Sequence, residues 1–195
     1  GETLTAIYTV TVDDGQGGQL NQDVTITVTG SNDLPTLNKD GNTLDGKYTE
    51  LASTTAASTP ASVKGIIGYT DTDLNDSFNN TVAVKSFVWS GGSLTSDQQT
   101  SLNKALSLDP VVTDKTTGKS QQPWSFTAPD QSFDFLKTGE TLTAIYTVTV
   151  DDGQGGKLNQ DVTITVNGSN DLPTLNTDGN TLNGQYTELD KTTAA

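Results

Sequence analysis

Cysteine, methionine, histidine and arginine are all absent from the 195 residues. Without Cys no disulfide can staple the fold. Without Cys or His there is no thiol or imidazole chemistry and no ordinary zinc site. No apolar run reaches the roughly 18 residues that a membrane-spanning helix needs. Basic charge is scarce: ten Lys face 24 Asp and Glu, for a net charge of -14. A chain this acidic is a poor partner for nucleic acid, because phosphates are neutralised by basic side chains. Aromatics make up 6% and hydrophobic residues 31%, a modest supply for a core, and the length suits one ordinary domain or two small ones. The chain opens with Gly1 inside what reads as a repeat, so it reads as an excised fragment, and a missing targeting segment carries no information about location.

What the chain does have is Thr, 35 of them, and Asp, 20 of its 24 acids. It also has an internal repeat. Residues 1–57 align without gaps to residues 139–195 with 50 identical pairs, an offset of 138. The differences, such as Gln19/Lys157 and Thr29/Asn167, nearly all exchange polar groups. Breaker clusters follow the same strand in both copies, Gly30-Ser31-Asn32-Asp33-Leu34-Pro35 and Gly168-Ser169-Asn170-Asp171-Leu172-Pro173. Placing linkers there makes residues 1–33 the C-terminal strands of a preceding repeat, 34–171 one complete unit, and 172–195 the N-terminal segment of a following one.

The unit reads as strands. Leu142, Ala144, Tyr146, Val148 and Val150 alternate with Thr and Ile, and Val162, Ile164 and Val166 alternate with polar residues, the period-2 pattern of a strand. Asp151 to Lys157, with three glycines, reads as the hairpin loop between them. Further strands are expected at 62–69, at 82–89 with a change of register in the middle, at 124–126, at 133–135 and at 47–51. Residues 96–108 carry Leu102, Ala105 and Leu106 at helical spacing, and Ser96 with Gln99 resembles a capping box, so a short helix is expected there. About seven strands per period and one small helix predict an all-β, Ig-like antiparallel Greek-key sandwich with a helical insert, favoured over a barrel by the strand count.

Chemistry is concentrated in the carboxylates. Asp71, Asp73, Asn75 and Asp76 fall within six residues after a strand. Like charges this close call for full solvation or a cation. Asp151-Asp152 doubles as a turn signal, and Asn32-Asp33 and Asn170-Asp171 sit in the linkers. In an Ig-like sandwich residues 71–76 fit the B–C loop and 151–157 the F–G loop, at the end that the Asn32-Asp33 linker enters. Glu50 and Glu140 fall at the opposite end, with Asn170 and Asp171 in the exit linker. The four Glu of the chain, Glu2, Glu50, Glu140 and Glu188, form two repeat-related pairs. Oxygen ligands without His or Cys select Ca²⁺ over transition metals.

The stretch Gly139-Glu140 through Gly156, followed by Val162–Val166 and Gly168-Ser169-Asn170-Asp171, resembles the VCBS-type repeat of giant, type I-secreted bacterial adhesins of the RTX class. Gly65 to Asp73 resembles that family's G…DxD segment. The resemblance implies a cadherin-like extender module that holds an adhesive tip away from the outer membrane of a Gram-negative cell, for attachment and biofilm formation. It implies Asp71 and Asp73 as the DxD pair, Asn32-Asp33 as the linker ligands, and Glu50 and Glu140 as base ligands facing the next unit. Neighbouring repeats and calcium are then the partners, with no nucleic acid and no membrane insertion. The competing class is a carbohydrate- or protein-binding sandwich module of a secreted protein, with Trp89 and Trp124 as candidate aromatics. An enzyme is not expected, since no nucleophile–base pair is available without His.

Overall fold

The computed structural model describes residues 1–195 except 54, 55, 174, 176, 177, 180–182 and 188–195. In chain order the elements are β1 (Thr3–Asp13), β2 (Gln19–Thr29), β3 (Thr36–Leu37), β4 (Asp45–Thr49), β5 (Pro60–Thr70), β6 (Thr81–Trp89), α1 (Ser96–Leu102), β7 (Leu106–Leu108), β8 (Val112–Asp114), β9 (Lys119–Pro129), β10 (Thr141–Asp151) and β11 (Lys157–Asn167). A 3-10 turn spans Asp130–Ser132. One sheet has the order β4-β11-β10-β6, and the other β3-β5-β9-β7 with β8 also on β9. The hairpin β1-β2 forms a separate two-stranded sheet.

The two larger sheets make a broadly Ig-like sandwich, mostly antiparallel. Alternation puts Leu142, Ala144, Tyr146, Val148 and Val150 of β10 inside, against Trp124, Phe126 and Ala128 of β9. Each large apolar side chain buried this way contributes about 1.5–3 kcal/mol. Trp124 lies over Gly65, where a Cβ would stand 2.3 Å from its ring, and its indole N–H donates to the Thr43 carbonyl at 2.9 Å. The Tyr146 hydroxyl donates to the Leu102 carbonyl at 2.8 Å, which ties the end of α1 to the core. The expected register change in β6 is a bulge: Tyr146 pairs with Val84 and Ile145 with Ser86, so Lys85 is left over.

Three expectations are corrected. The helix is α1, seven residues, and its capping box is formed by Thr95 and Gln98, one position earlier than Ser96 and Gln99. Leu106 leaves the helix because it pairs with Phe126 as β7, a tertiary partner that outweighs local helical spacing. Phe133–Phe135 is a turn. Its aromatics pack separately, buried Phe133 beside Phe126 and half-buried Phe135 edge-on to Trp89 at 4.9 Å, while the carboxylates of Asp130 and Asp134 accept from Leu51 and Ala56 N–H groups. The opening strand β4 is parallel to β11, in an otherwise antiparallel sheet. It follows β3 on the opposite sheet, so the first edge of the unit is split between both layers. Segment 172–195 falls largely outside the described residues, Glu188 included, and its described residues form no strand.

Candidate metal centres

The sandwich is about 34 Å long, the rise of eleven strand residues. A group of three carboxylates sits at each end.

At the front end are Asp71, Asp76 and Asp152, each offering an oxygen within 4.8 Å of the others. Asp71 closes β5. Its N–H donates to the Gly118 carbonyl at 3.0 Å, and Gly118 has φ +70, with no room for a Cβ beside the Asp71 carbonyl. The Asp71 side chain is buried, the residue being 2% exposed; Oδ1 accepts from Asp73 N–H at 3.0 Å and Oδ2 has no partner. Burial, then the charges of Asp73, Asp152 and Asp33, push its pKa up. Asp76 is raised in the same way, burial first, and its Oδ2 also lacks a partner. Asp152 behaves differently. Burial opposes its ionisation, yet donation from the Asn32 amide and the Gln154 and Gly156 N–H groups holds it below the usual range. Only Gly fits at 156, because a Cβ there would stand 2.0 Å from Asp152 Oδ2.

The entry linker closes over this group. Asn32 Nδ2 donates to Asp152 Oδ2 at 3.0 Å, and Asp33 N–H donates to Asp73 Oδ2 at 2.7 Å. Across a cleft of about 560 Å³, Asn75 Nδ2 reaches Glu2 Oε1 of the hairpin at 2.9 Å.

At the rear end are Glu50, Asp134 and Asp171, with the same mutual 4.8 Å limit. Glu50 follows β4, held by its N–H to the Asn167 carbonyl at 3.0 Å. It is 3% exposed; Oε2 accepts from Ser169 N–H at 3.0 Å and Oε1 has no partner. Burial, with the charges of Asp171, Asp130 and Asp134, pushes its pKa up to about 7. Asp134 Oδ2 accepts from Ala56 N–H at 2.8 Å, and its Oδ1 is buried without a partner.

Oxygens bound to one Ca²⁺ at 2.3–2.6 Å lie at most about 5 Å apart, so both triads have the right span. Neither contains a lysine: among the described residues the ion pairs are Lys85–Asp161 and Lys157–Asp151. Two carboxylates of each triad keep a buried oxygen without a hydrogen-bond partner, Asp71 and Asp76 at the front and Glu50 and Asp134 at the rear, and three acidic groups crowded in this way are an arrangement a hard divalent cation can neutralise.

Of the residues anticipated from sequence, the front triad unites Asp71, Asp76 and Asp152, and the rear triad Glu50 and Asp171. Asn32, Asp33 and Asp73 join the front end through hydrogen bonds. Asp151 stands outside, 2.9 Å from Lys157 Nζ. Glu140 also stands apart, its Oε2 accepting from Trp89 Nε1 at 3.0 Å and Lys137 N–H at 3.1 Å. Asn170 turns its amide to the Asp171 carbonyl, as Asn32 does to that of Asp33, both at 3.1 Å. Asp134 was missed. It lies between two aromatics in a stretch that read as a strand, and it falls outside both copies of the repeat.

No family model and no curated protein matches the chain. Several solved structures are similar in outline, two of which are as follows. Zebrafish RET cadherin-like domains 1 to 4 show 9% identity and a TM-score of 0.38, over 86% of this chain and 34% of that one, so the chain spans about a third of that protein's length. AggA, the major subunit of aggregative adherence fimbriae type I from Escherichia coli, shows 12% identity and a TM-score of 0.37, over 72% of this chain and 99% of that one. The likeness to a VCBS-type repeat therefore rests on its motifs alone.

Proposed function

We propose that residues 34–171 are one unit of a tandem array with a 138-residue period, and that the unit is a calcium-rigidified extender of a bacterial surface adhesin. The observation that carries this reading is the pair of buried carboxylates, Glu50 and Asp71, each with an oxygen left without a partner inside a triad at opposite ends of one sandwich. Buried anionic oxygens are costly unless a cation or donors complete them.

The repeat then joins the two ends. Asn32-Asp33 and Asn170-Asp171 are one linker position in two copies. At a complete junction the Asp171 carboxylate would close the rear triad of one unit. Its own N–H and the Asn170 amide would engage the next unit, as Asp33 and Asn32 engage Asp73 and Asp152. Cations at both triads would fix a Gly/Ser/Asn linker that otherwise bends freely, because their binding energy adds only to the ordered state. Outside a cell, where Ca²⁺ is plentiful, the array stiffens. Before export, with Ca²⁺ scarce, the acidic units repel. Trp124 is buried in the core and Trp89 is engaged by Glu140 and Phe135, so neither favours the carbohydrate-binding alternative.

Small-angle scattering on a chain of two complete units tests this. Millimolar Ca²⁺ is expected to give an extended particle, and EGTA or Asp71→Asn a shorter and broader distance distribution. Equal extension in all three conditions would refute calcium rigidification.

A further inference from the structure

The rear triad takes its carboxylates from three separate segments: Glu50 from the end of β4, Asp134 from the turn after β9 and Asp171 from the exit linker. Like charges repel, so the triad cannot hold itself within 4.8 Å; other contacts must do so. A fourth carboxylate stands beside it. Asp130 is fully buried, opens the 3-10 turn Asp130–Ser132 and does not belong to the triad.

Asp130 Oδ1 accepts from the Tyr48 hydroxyl at 2.6 Å and from the Leu51 N–H at 3.1 Å. These donors flank Glu50, two residues before it and one after, so one oxygen brackets the ligand along the chain. Removing that oxygen would leave both donors unpaired inside the fold. The backbone of the same turn ties down the start of β5. Asp130 N–H donates to the Thr59 carbonyl and Gln131 N–H to the Ala57 carbonyl, both at 2.9 Å.

Between these ties the chain takes a costly shape. Ser53 and Ala56 have φ of +62 and +61, the left-handed region that residues with a Cβ avoid. Such conformations persist where the surroundings over-determine them, and they gather at ligand clamps. Here the surroundings carry the other two acids of the triad. Ser53 N–H donates to the Asn170 carbonyl, next to Asp171, and Ala56 N–H to Asp134 Oδ2, both at 2.8 Å. The described residues of this connector therefore meet all three segments, and Asp130 fixes where it begins and where it enters β5.

We propose that Asp130 is the positioning residue of the rear centre. Through Tyr48 and Leu51 it sets Glu50, and through Ser53 and Ala56 it brings Asp171 and Asp134 into reach of the same cation. The proposal rests on the reading of that triad as a calcium site. Asp130 stays outside the coordination shell, because two donors already occupy its Oδ1.

Calcium titration calorimetry of the 195-residue chain in two backgrounds separates the ends. Asp71→Asn leaves the rear centre to be measured, and Glu50→Gln leaves the front. Loss of a group that orients metal ligands weakens binding by about 10–100-fold. Asp130→Ala should weaken the rear centre by about tenfold or more and Tyr48→Phe by about threefold or more. Both should leave the front centre within about twofold. Tyr48→Phe keeps the Asp130 carboxylate, so its effect reports position alone and holds the test open where Asp130→Ala does not fold. Amide hydrogen exchange in EGTA needs no cation. The Ser53 and Ala56 amides should exchange about tenfold faster in Tyr48→Phe, with those of β10 unchanged. An unchanged rear affinity in both variants, equal weakening of front and rear, or unchanged exchange at Ser53 and Ala56 would each overturn the proposal. An Asp71→Asn chain that binds no calcium would sink the calcium reading itself, and this proposal with it.

Discussion

β1-β2 and β10-β11 are the same hairpin in two settings. Both have the same pairing, from Thr3↔Thr29 and Thr141↔Asn167 down to Asp13↔Gln19 and Asp151↔Lys157, and the same turn, in which Gly18 or Gly156 N–H donates to the carboxylate of Asp14 or Asp152. One is flanked by β4 and β6 and covered by the opposite sheet; the other has open edges and an open face. Hairpin, register and turn are therefore local properties of 27 residues. Burial is conferred by the partner strands. The carboxylates make the same point. Asp14 and Asp152 share sequence and turn, but only Asp152 is buried beside Asp71 and Asp76 and receives an amide from the linker.

The sharpest separation of the two settings is by core truncation. Ile164→Ala should cost about 2–5 kcal/mol, the transfer and cavity cost of a buried Ile. Ile26→Ala should change sandwich stability by less than about 0.5 kcal/mol. Urea titrations followed by the fluorescence of buried Trp124 measure both.

Next in size is calcium. Free Ca²⁺ at about 100 times Kd should add roughly 2.7 kcal/mol per site, with Mg²⁺ giving less because it demands a tighter octahedral shell. Asp71→Asn should remove the front share and Glu50→Gln the rear share in calorimetry. Asp14→Asn, the twin position of Asp152, should remove neither. No rise in melting temperature with Ca²⁺ would leave both triads without a cation.

Smaller again is the pH response of the ion-free chain. The Glu50 carboxyl is raised from 4.5 to about 7 on folding. Folding takes up a proton in that interval, so this contribution is full below about pH 4.5 and is lost as pH rises through 7. It amounts to at most about 3 kcal/mol. In EGTA the melting temperature of the parent should fall between pH 5 and 8 more steeply than that of Glu50→Gln. Ca²⁺ should flatten the parent's curve, because it binds the ionised form. The smallest effect concerns the hairpin end, where Lys157–Asp151 replaces the Gln19–Asp13 bond of the twin. Lys157→Gln makes the two hairpins alike there and should cost under about 0.5 kcal/mol, as exposed ion pairs do.

Much was legible before any coordinates. Period-2 alternation located β10 and β11, apolar runs located β5 and β6, and the Gly-rich loop located the hairpin turn, because these signals act between near neighbours. Asp71, Asp76 and Asp152 could be placed at one end once an Ig-like order of strands was assumed. Asp134 could not, since its flanking Phe residues mimic a strand and no second copy of that stretch draws notice to it. Glu140 had the residue type and the end of the fold expected of a ligand, yet the indole of Trp89 engages it.

The sequence alone determined which segments are strands, where they turn, which face of each is apolar and that acid is concentrated in loops and linkers. Those properties depend on backbone sterics, side-chain alternation and residue type within a few positions. Only the tertiary structure decided that β4 runs parallel to β11, that Leu106 leaves the helix for β9, and which carboxylates share a space of 4.8 Å. It also decided that β10-β11 lies in a core, between β4 and β6 and under the opposite sheet. Such outcomes depend on segments distant in sequence meeting in three dimensions, and the energy of burying a face or crowding charges exists only once they have met.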